Sequence, residues 1–86
     1  MSFKITDKTG KEFWASIIQD VNPNPDGWYC EIYADDFLAR KIDDMVVHPE
    51  DIYGYDQLDG NGKIEAATAY ITATYAQLEL DPEFIF

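Results

Sequence analysis

Three clusters of turn-forming residues divide the 86-residue chain into short apolar segments, and this division limits the folds open to it. The clusters are Asp7–Lys11, Asn22–Gly27 and Gly60–Gly62. Proline lacks a backbone N–H donor, and glycine, asparagine and aspartate favour turns, so each cluster separates two elements of secondary structure. The segments before Gly60 suit short strands, and the segment after Gly62 is long enough for one helix.

The N-terminal third of the chain has the pattern of a β-hairpin. Residues 3–6 alternate apolar and polar side chains, and residues 13–21 form an apolar run with strand-forming residues. The intervening turn contains Gly10, which can adopt a positive φ. Residues 28–33 predict a third strand, although the imperfect alternation leaves its inward-facing residues open.

The segment from Ala34 to His48 supports two readings. The first is a helix, because Leu38, Ile42, Met45 and Val46 recur at a helical spacing. The β-branched pair that follows Met45, ended by Pro49, instead favours a strand. We favour a turn or short helix near 35–41, then a strand near 42–48, and a helical turn that opens at Pro49.

Residues 63–80 are predicted to form the C-terminal helix, ended by Pro82. One apolar stripe follows the helical period and comprises Ile64, Ala67, Thr68, Ile71, Tyr75 and Leu78. The apolar tail Phe84–Phe86 is expected to dock onto the core or onto a partner.

These elements predict a single α+β domain over residues 1–86. An antiparallel sheet of three to four strands has the C-terminal helix packed on one face, since a hairpin needs such cover to be stable. The predicted core comprises Phe3, Ile5, Phe13, Ile17, Cys30, Ile32, Leu38, Met45, Val47, Ile64, Ile71, Tyr75 and Leu78.

The charge of the chain restricts its partners. It has 17 Asp and Glu against 6 Lys and Arg, a net charge of −11, while 47% of its residues are hydrophobic. Disordered acidic chains have few aromatic residues, so this composition indicates a folded domain. Binding to nucleic acid requires cations that neutralise phosphates, and an anionic membrane repels acidic proteins. We therefore expect a basic protein partner and neither direct nucleic-acid binding nor membrane binding.

One short segment resembles the middle of an EF-hand calcium loop. Asp59 and Asn61 would supply side-chain oxygens and Gly62 the sharp turn. The first ligand position falls on Gln57 and the bidentate glutamate position on Thr68, so the strongest ligands of such a site are missing. We favour a glycine-containing turn in which Asp59 or Asn61 caps the helix, and no metal site is predicted.

Catalytic and cofactor motifs are absent from the sequence. The lone Cys30 excludes an internal disulfide and sits in an apolar run, where burial is expected. A nucleophilic pair of Cys30 with His48 is disfavoured by that setting. The chain has neither the apolar core of a signal peptide nor a membrane-spanning run. We expect a non-enzymatic protein of the cytoplasm that needs no cofactor.

Three pairs of adjacent acids favour a function based on charge complementarity: Asp35 with Asp36, Asp43 with Asp44, and Glu50 with Asp51. Fixed carboxylates can occupy a basic channel that normally holds nucleic acid, with fast, salt-sensitive association. The acids assigned to partner binding are Glu31, Asp35, Asp36, Asp43, Asp44, Glu50, Asp51 and Asp56. We expect a nucleic-acid mimic, such as a phage-encoded inhibitor of a bacterial defence nuclease complex.

Two alternatives remain open at this point. One is an immunity protein against a basic nuclease toxin, which uses the same charge complementarity. The other is a small structural or adaptor protein that binds through Trp14, Trp28 or the Phe84–Phe86 tail, with the acids serving solubility.

Overall fold

A computed structural model describes residues 2–20 and 27–80 of the chain. In sequence order, these residues form β1 (Ser2–Thr6), β2 (Glu12–Asp20), β3 (Gly27–Tyr33), β4 (Lys41–Val47), two 3₁₀ turns (Pro49–Asp51 and Tyr55–Gln57) and α1 (Gly60–Tyr75). Each strand pairs antiparallel with the next, in the order β1-β2-β3-β4. The predicted α+β class, the hairpin, the third strand and the helical turn at Pro49 are confirmed.

The turn between β1 and β2 is organised by the buried carboxylate of Asp7. Its Oδ1 accepts hydrogen bonds from the Thr9 hydroxyl at 2.6 Å, the Thr9 backbone N–H at 2.9 Å and the Lys11 backbone N–H at 3.1 Å. Its Oδ2 accepts a hydrogen bond from the backbone N–H of Leu80, 73 residues further along the chain. Asp7 therefore joins the hairpin turn to the segment that follows α1.

The pairing of β3 with β2 settles which residues of β3 face inward. Trp28, Cys30 and Ile32 are buried, and Cys30 and Ile32 lie opposite Ile17 and Ala15 of β2. Residues 29, 31 and 33 lie on the opposite face of the sheet. One face of the sheet is therefore apolar, and it is the face that α1 covers.

The segment between β3 and β4 is a turn, so the helical reading of Leu38, Ile42, Met45 and Val46 is wrong. Leu38 adopts a positive φ of 58°. The Asp35 carboxylate holds this turn by accepting hydrogen bonds from the backbone N–H groups of Ala39 and Arg40, both at 3.1 Å. Leu38 is consequently outside the core, contrary to prediction.

Helix α1 begins three residues before the predicted start and ends five before the predicted end. Asp59 is its N-cap, and the carboxylate accepts a hydrogen bond from the Gly62 N–H at 2.7 Å. After Tyr75 the chain turns, and the Leu78 carbonyl accepts a hydrogen bond from the Lys8 N–H at 2.9 Å. Contact with the hairpin turn thus redirects the chain before Pro82, which lies outside the described residues.

The core forms between the apolar sheet face and one side of α1. It contains Ile5, Phe13, Ala15, Ile17, Trp28, Cys30, Ile32, Ile42, Val47, Tyr55, Ala67, Ile71, Tyr75 and Leu80. The predicted core residues Phe3, Met45 and Ile64 are partly buried against it. Leu78 is 44% exposed and was wrongly placed in the core, because the turn after Tyr75 buries Leu80 instead.

Trp28 and Tyr55 were not predicted as core residues. The indole N–H of Trp28 donates a hydrogen bond of 2.8 Å to the Tyr55 hydroxyl. This bond fixes the second 3₁₀ turn to the sheet and satisfies a buried indole donor.

Within residues 2–20 and 27–80, no helix combines the length and apolar character needed to cross a membrane.

We expect the Tyr55→Phe variant to unfold more readily because it leaves the buried Trp28 N–H without this acceptor. The loss in unfolding free energy should be about 1–3 kcal/mol in urea denaturation. The matched variant Tyr53→Phe removes the same group from a fully exposed side chain and should change stability by less than ~0.5 kcal/mol. Equal stability of the two variants would contradict the role given to this bond.

We also expect Asp7 to make stability depend on acidity. The hydrogen bond from the Thr9 hydroxyl lowers the pKa of Asp7 from 3.8 to about 2. The native carboxyl therefore holds its proton less tightly than the unfolded one, so its stabilising effect is present above pH 4 and is lost as pH falls towards 2. Unfolding free energies measured across this range should have a shallower slope in Asp7→Asn than in the unmodified chain.

The control for that experiment is Asp36→Asn, which removes a carboxyl from the exposed β3–β4 turn. An unchanged slope in Asp7→Asn, or the same change in both variants, would refute the assignment to Asp7.

Candidate functional site

Seven of the eight acids assigned to partner binding lie on β4 or on the segments that directly precede and follow it. Asp43 and Asp44 lie on β4, which is the last strand in the sheet order, and the other five lie on the segments before and after it. We call these seven residues the acidic edge: Asp35, Asp36, Asp43, Asp44, Glu50, Asp51 and Asp56. The strand alone is about 20 Å long at 3.3–3.4 Å per residue, and acids lie beyond both of its ends. The eighth acid, Glu31, lies on the neighbouring strand β3.

At the start of β4, the two acids of the β3–β4 turn have different settings. The Asp35 carboxylate is occupied by the backbone N–H groups of the turn. The Asp36 side chain is exposed. The first therefore shapes the turn, and the second projects into solvent, where a partner can reach it.

Within β4, Asp43 and Asp44 point to opposite faces of the sheet. On the helix side, the Tyr75 hydroxyl donates a hydrogen bond of 3.0 Å to Asp43 Oδ2. Burial raises the pKa of Tyr75, and the nearby Asp43 carboxylate raises it further. Asp43 is thus tied to the end of α1.

Asp44 lies on the open face of the sheet, directly opposite Glu31 of β3. Like charges in this arrangement repel. The Lys41 ammonium offsets the repulsion, since its Nζ is 3.2 Å from Glu31 Oε2 and 3.0 Å from Asp44 Oδ2. The Tyr29 hydroxyl, 3.0 Å from Lys41 Nζ, and the Asp44 carboxylate hold the pKa of Lys41 above its usual range.

Lys41 and two tyrosine hydroxyls engage the carboxylates of Glu31 and Asp44. The hydrogen bond from Lys41 lowers the pKa of Asp44. The Tyr33 hydroxyl donates a hydrogen bond of 3.0 Å to Glu31 Oε1, and the Tyr29 hydroxyl donates one of 3.0 Å to Asp44 Oδ2. Glu31 and Asp44 are therefore already engaged inside the chain, and a partner must compete for them.

The sequence does not predict that Lys41 contacts Tyr29 and the carboxylates of Glu31 and Asp44. The alternation of Tyr29, Glu31 and Tyr33 does indicate part of this cluster, because residues two apart on a strand lie on one face. Placing Lys41 beside them required the register of β4 against β3, which has an irregularity between Ile32 and Tyr33.

Beyond the end of β4, three further acids lie in the segment of the two 3₁₀ turns. Asp51 accepts a hydrogen bond of 3.0 Å from the His48 backbone N–H and so helps to form the first turn. Glu50 and Asp56 are exposed. From Ile42 to Gly62 the sequence contains no Lys or Arg, and Lys63 is the cation that the structure places beside Tyr55 of this segment.

The edge is poorly suited to pairing with a strand from another protein. Asp43 is a charged residue that points inward from an edge strand, and the β3–β4 pairing is irregular near its start. Both features disfavour the addition of a further strand. A partner of this edge would therefore contact carboxylate side chains rather than extend the sheet.

The sheet face opposite α1 carries the aromatic residue Trp14 between Lys4 of β1 and Tyr33 of β3. Ile18, on the same face, is 57% exposed. Trp28 is buried against Tyr55 and is unavailable to a partner, so the adaptor reading cannot use it. The Phe84–Phe86 tail lies outside the described residues.

The structure supports the predicted burial of Cys30. Its side chain is fully buried, and burial raises the pKa of the thiol to about 12, while His48 is exposed.

The turn at Asp59 caps helix α1, which agrees with the prediction that favoured a cap over a calcium loop. Residues 60–63 are already helical. Among the described residues, no group of three or more His, Cys, Asp or Glu side chains is arranged to hold a metal ion.

Comparison with known proteins gives no relative from which to assign a family. No protein-family model, curated protein or solved structure matches the chain. The function must therefore be argued from the charges and contacts described above.

We expect the Cys30 thiol to resist modification while the chain is folded. A buried thiol with a raised pKa is protonated at neutral pH and out of reach of the reagent. In an assay with a disulfide reagent at pH 7.5, the reaction should be slow in buffer and fast in denaturing urea. A fast reaction in buffer, with the chain shown to be folded by circular dichroism, would contradict this burial.

Proposed function

We propose that this chain is a non-enzymatic inhibitor that occupies the basic nucleic-acid-binding surface of a partner protein. The observation that carries the proposal is the acidic edge, a series of carboxylates along one strand and the segments at its two ends. Nucleic acid also presents a series of negative charges to its binding proteins. A surface of cations that accepts phosphates would accept these carboxylates by the same electrostatic attraction.

The charge balance of the edge supports this reading. It carries seven acids, and the neighbouring cations are Arg40 and Lys41. A nucleic-acid strand has one charge per ~3.4 Å, so seven acids on an edge of somewhat more than ~20 Å have a comparable density of charge. Because several of these acids are already held by hydrogen bonds within the chain, the contact would consist of ion pairs at the exposed positions rather than a continuous imitation of a phosphate backbone.

The most accessible acids are the best candidates for direct contact. Asp36, Glu50 and Asp56 are exposed, and they lie at the two ends of β4. Asp35, Asp43 and Asp51 support the local structure through their hydrogen bonds. The first group would meet the cations of the partner, and the second would hold the edge in shape.

The proposed partner is a basic, nucleic-acid-binding protein in the cytoplasm, and neither nucleic acid itself nor a membrane is proposed to bind. A nuclease complex of bacterial defence, inhibited by a phage-encoded protein, is the biological setting that we favour. An immunity protein that blocks a basic nuclease toxin would use the same edge in the same way.

An adaptor role is the second candidate, and the open sheet face favours it. Trp14, Ile18 and Tyr33 lie on this face, where Ile18 is exposed and the other two are half-buried. A partner that used these side chains would be held by apolar contact, and its binding would be largely insensitive to salt.

The two candidates are separated by capturing partners from a bacterial lysate on the immobilised chain and eluting them in steps of NaCl. The inhibitor proposal predicts a nucleic-acid-binding protein that is released at moderate salt and displaced by added DNA or RNA, because the contacts are ionic. The variant Asp36→Lys/Glu50→Lys/Asp56→Lys should lose this protein. The variant Trp14→Ala/Ile18→Ser should retain it.

The opposite pattern would contradict the inhibitor proposal. Salt-resistant capture that survives the three charge reversals and is lost in Trp14→Ala/Ile18→Ser would support the adaptor role instead. Circular dichroism of each variant checks that the fold is intact.

A further inference from the structure

A cleft between the two 3₁₀ turns has the chemistry to hold a basic side chain. We propose that this cleft receives one lysine or arginine side chain of the partner protein, and the inference rests on the function proposed above. It names a particular binding position within an otherwise extended acidic surface.

The cleft has a volume of about 440 Å³. This lies at the lower end of the ~300–1,000 Å³ that is common for ligand pockets. Its apolar lining comes from Pro49, Ile52 and Tyr55, and its polar lining includes Glu50, Asp56 and Gln57. The cleft therefore has apolar and anionic groups side by side.

This combination matches a long basic side chain better than it matches an apolar or an anionic ligand. Lysine and arginine have an aliphatic stem that packs on apolar groups and a cationic head that seeks carboxylates. Pro49 and Ile52 would contact the stem, and Glu50 and Asp56 would meet the head. An anionic ligand would be repelled by both carboxylates.

The ring of Tyr55 already accepts a cation within the chain. The Nζ of Lys63 lies 4.9 Å from the centroid of this ring, a geometry typical of a cation–π contact. This face of Tyr55 is thus already occupied by a cation of the chain, so the incoming cationic head would bind Glu50 and Asp56 rather than this ring.

The walls of the cleft are fixed by hydrogen bonds before any partner binds. Tyr55 is held to the sheet by the Trp28 indole. Gly54 adopts a positive φ of 72°, and its carbonyl accepts a hydrogen bond from the Gln57 N–H at 3.1 Å. A cleft that is already shaped avoids part of the entropic cost of ordering a binding loop.

The test is a titration of the ¹⁵N-labelled chain with N-acetyl-arginine amide, followed by NMR. N-acetyl-citrulline amide, which has a similar shape and no charge, is titrated in parallel. We expect the arginine compound to shift the backbone amide signals of Gly54, Tyr55 and Gln57, and the citrulline compound to leave them in place. The variant Glu50→Gln/Asp56→Asn should weaken this binding by roughly fivefold or more.

The matched control is Glu65→Gln/Glu79→Gln, which removes the same number of charges from exposed positions outside the cleft. It should bind the arginine compound within about twofold of the unmodified chain, as expected for distant surface charges. Equal weakening in both double variants, shifts spread evenly over all acidic segments, or no shift at all would each overturn the cleft proposal.

These results are separable from the fate of the proposed function. Salt-sensitive capture of a basic protein without a response in the cleft would overturn only the cleft. A response in the cleft without capture of any nucleic-acid-binding protein would support the cleft as a cation site and count against the inhibitor.

Discussion

The burial of one sheet face beneath α1 is the contact on which the rest of this structure depends. Ala67, Ile71 and Tyr75 of the helix are buried against the apolar face of the sheet. Because strand side chains alternate between faces, this single contact assigns every other residue of β2 and β3 to the opposite face. The cluster of Tyr29, Glu31 and Tyr33 lies half-buried on that opposite face as a direct result.

Repulsion between carboxylates destabilises this arrangement, and a neighbouring cation offsets part of it. Lys41 lies between the carboxylates of Glu31 and Asp44, where two like charges would otherwise face each other across the strands. Other acids are used as hydrogen-bond acceptors in turns and caps, as at Asp7 and Asp59. Within the acidic edge, the exposed carboxylates are Asp36, Glu50, Asp51 and Asp56, on the segments before and after β4.

Two long-range hydrogen bonds connect parts of the chain that the sheet alone would leave separate. Trp28 holds the second 3₁₀ turn against β3, and Asp7 holds the segment after α1 against the hairpin turn. A domain of this size buries a modest share of its surface, so such bonds contribute a large part of its small stability. The first of them also shapes the cleft proposed to hold a basic side chain.

Local sequence patterns were enough to determine the strands, the turns, the existence of α1 and the burial of Cys30. Alternation, helical period and turn-forming residues are properties of short segments, so they can be read without knowing the fold. The ends of α1, the exposure of Leu78 and the loop position of Leu38 depended on contacts with distant residues. The chain's acidity was evident from composition. Only the tertiary structure decided that β4 is an edge strand, that its Asp43 and Asp44 face apart, and that Lys41 lies between Glu31 and Asp44. Strand order and register bring together residues that are far apart in the sequence, and no local pattern encodes either of them.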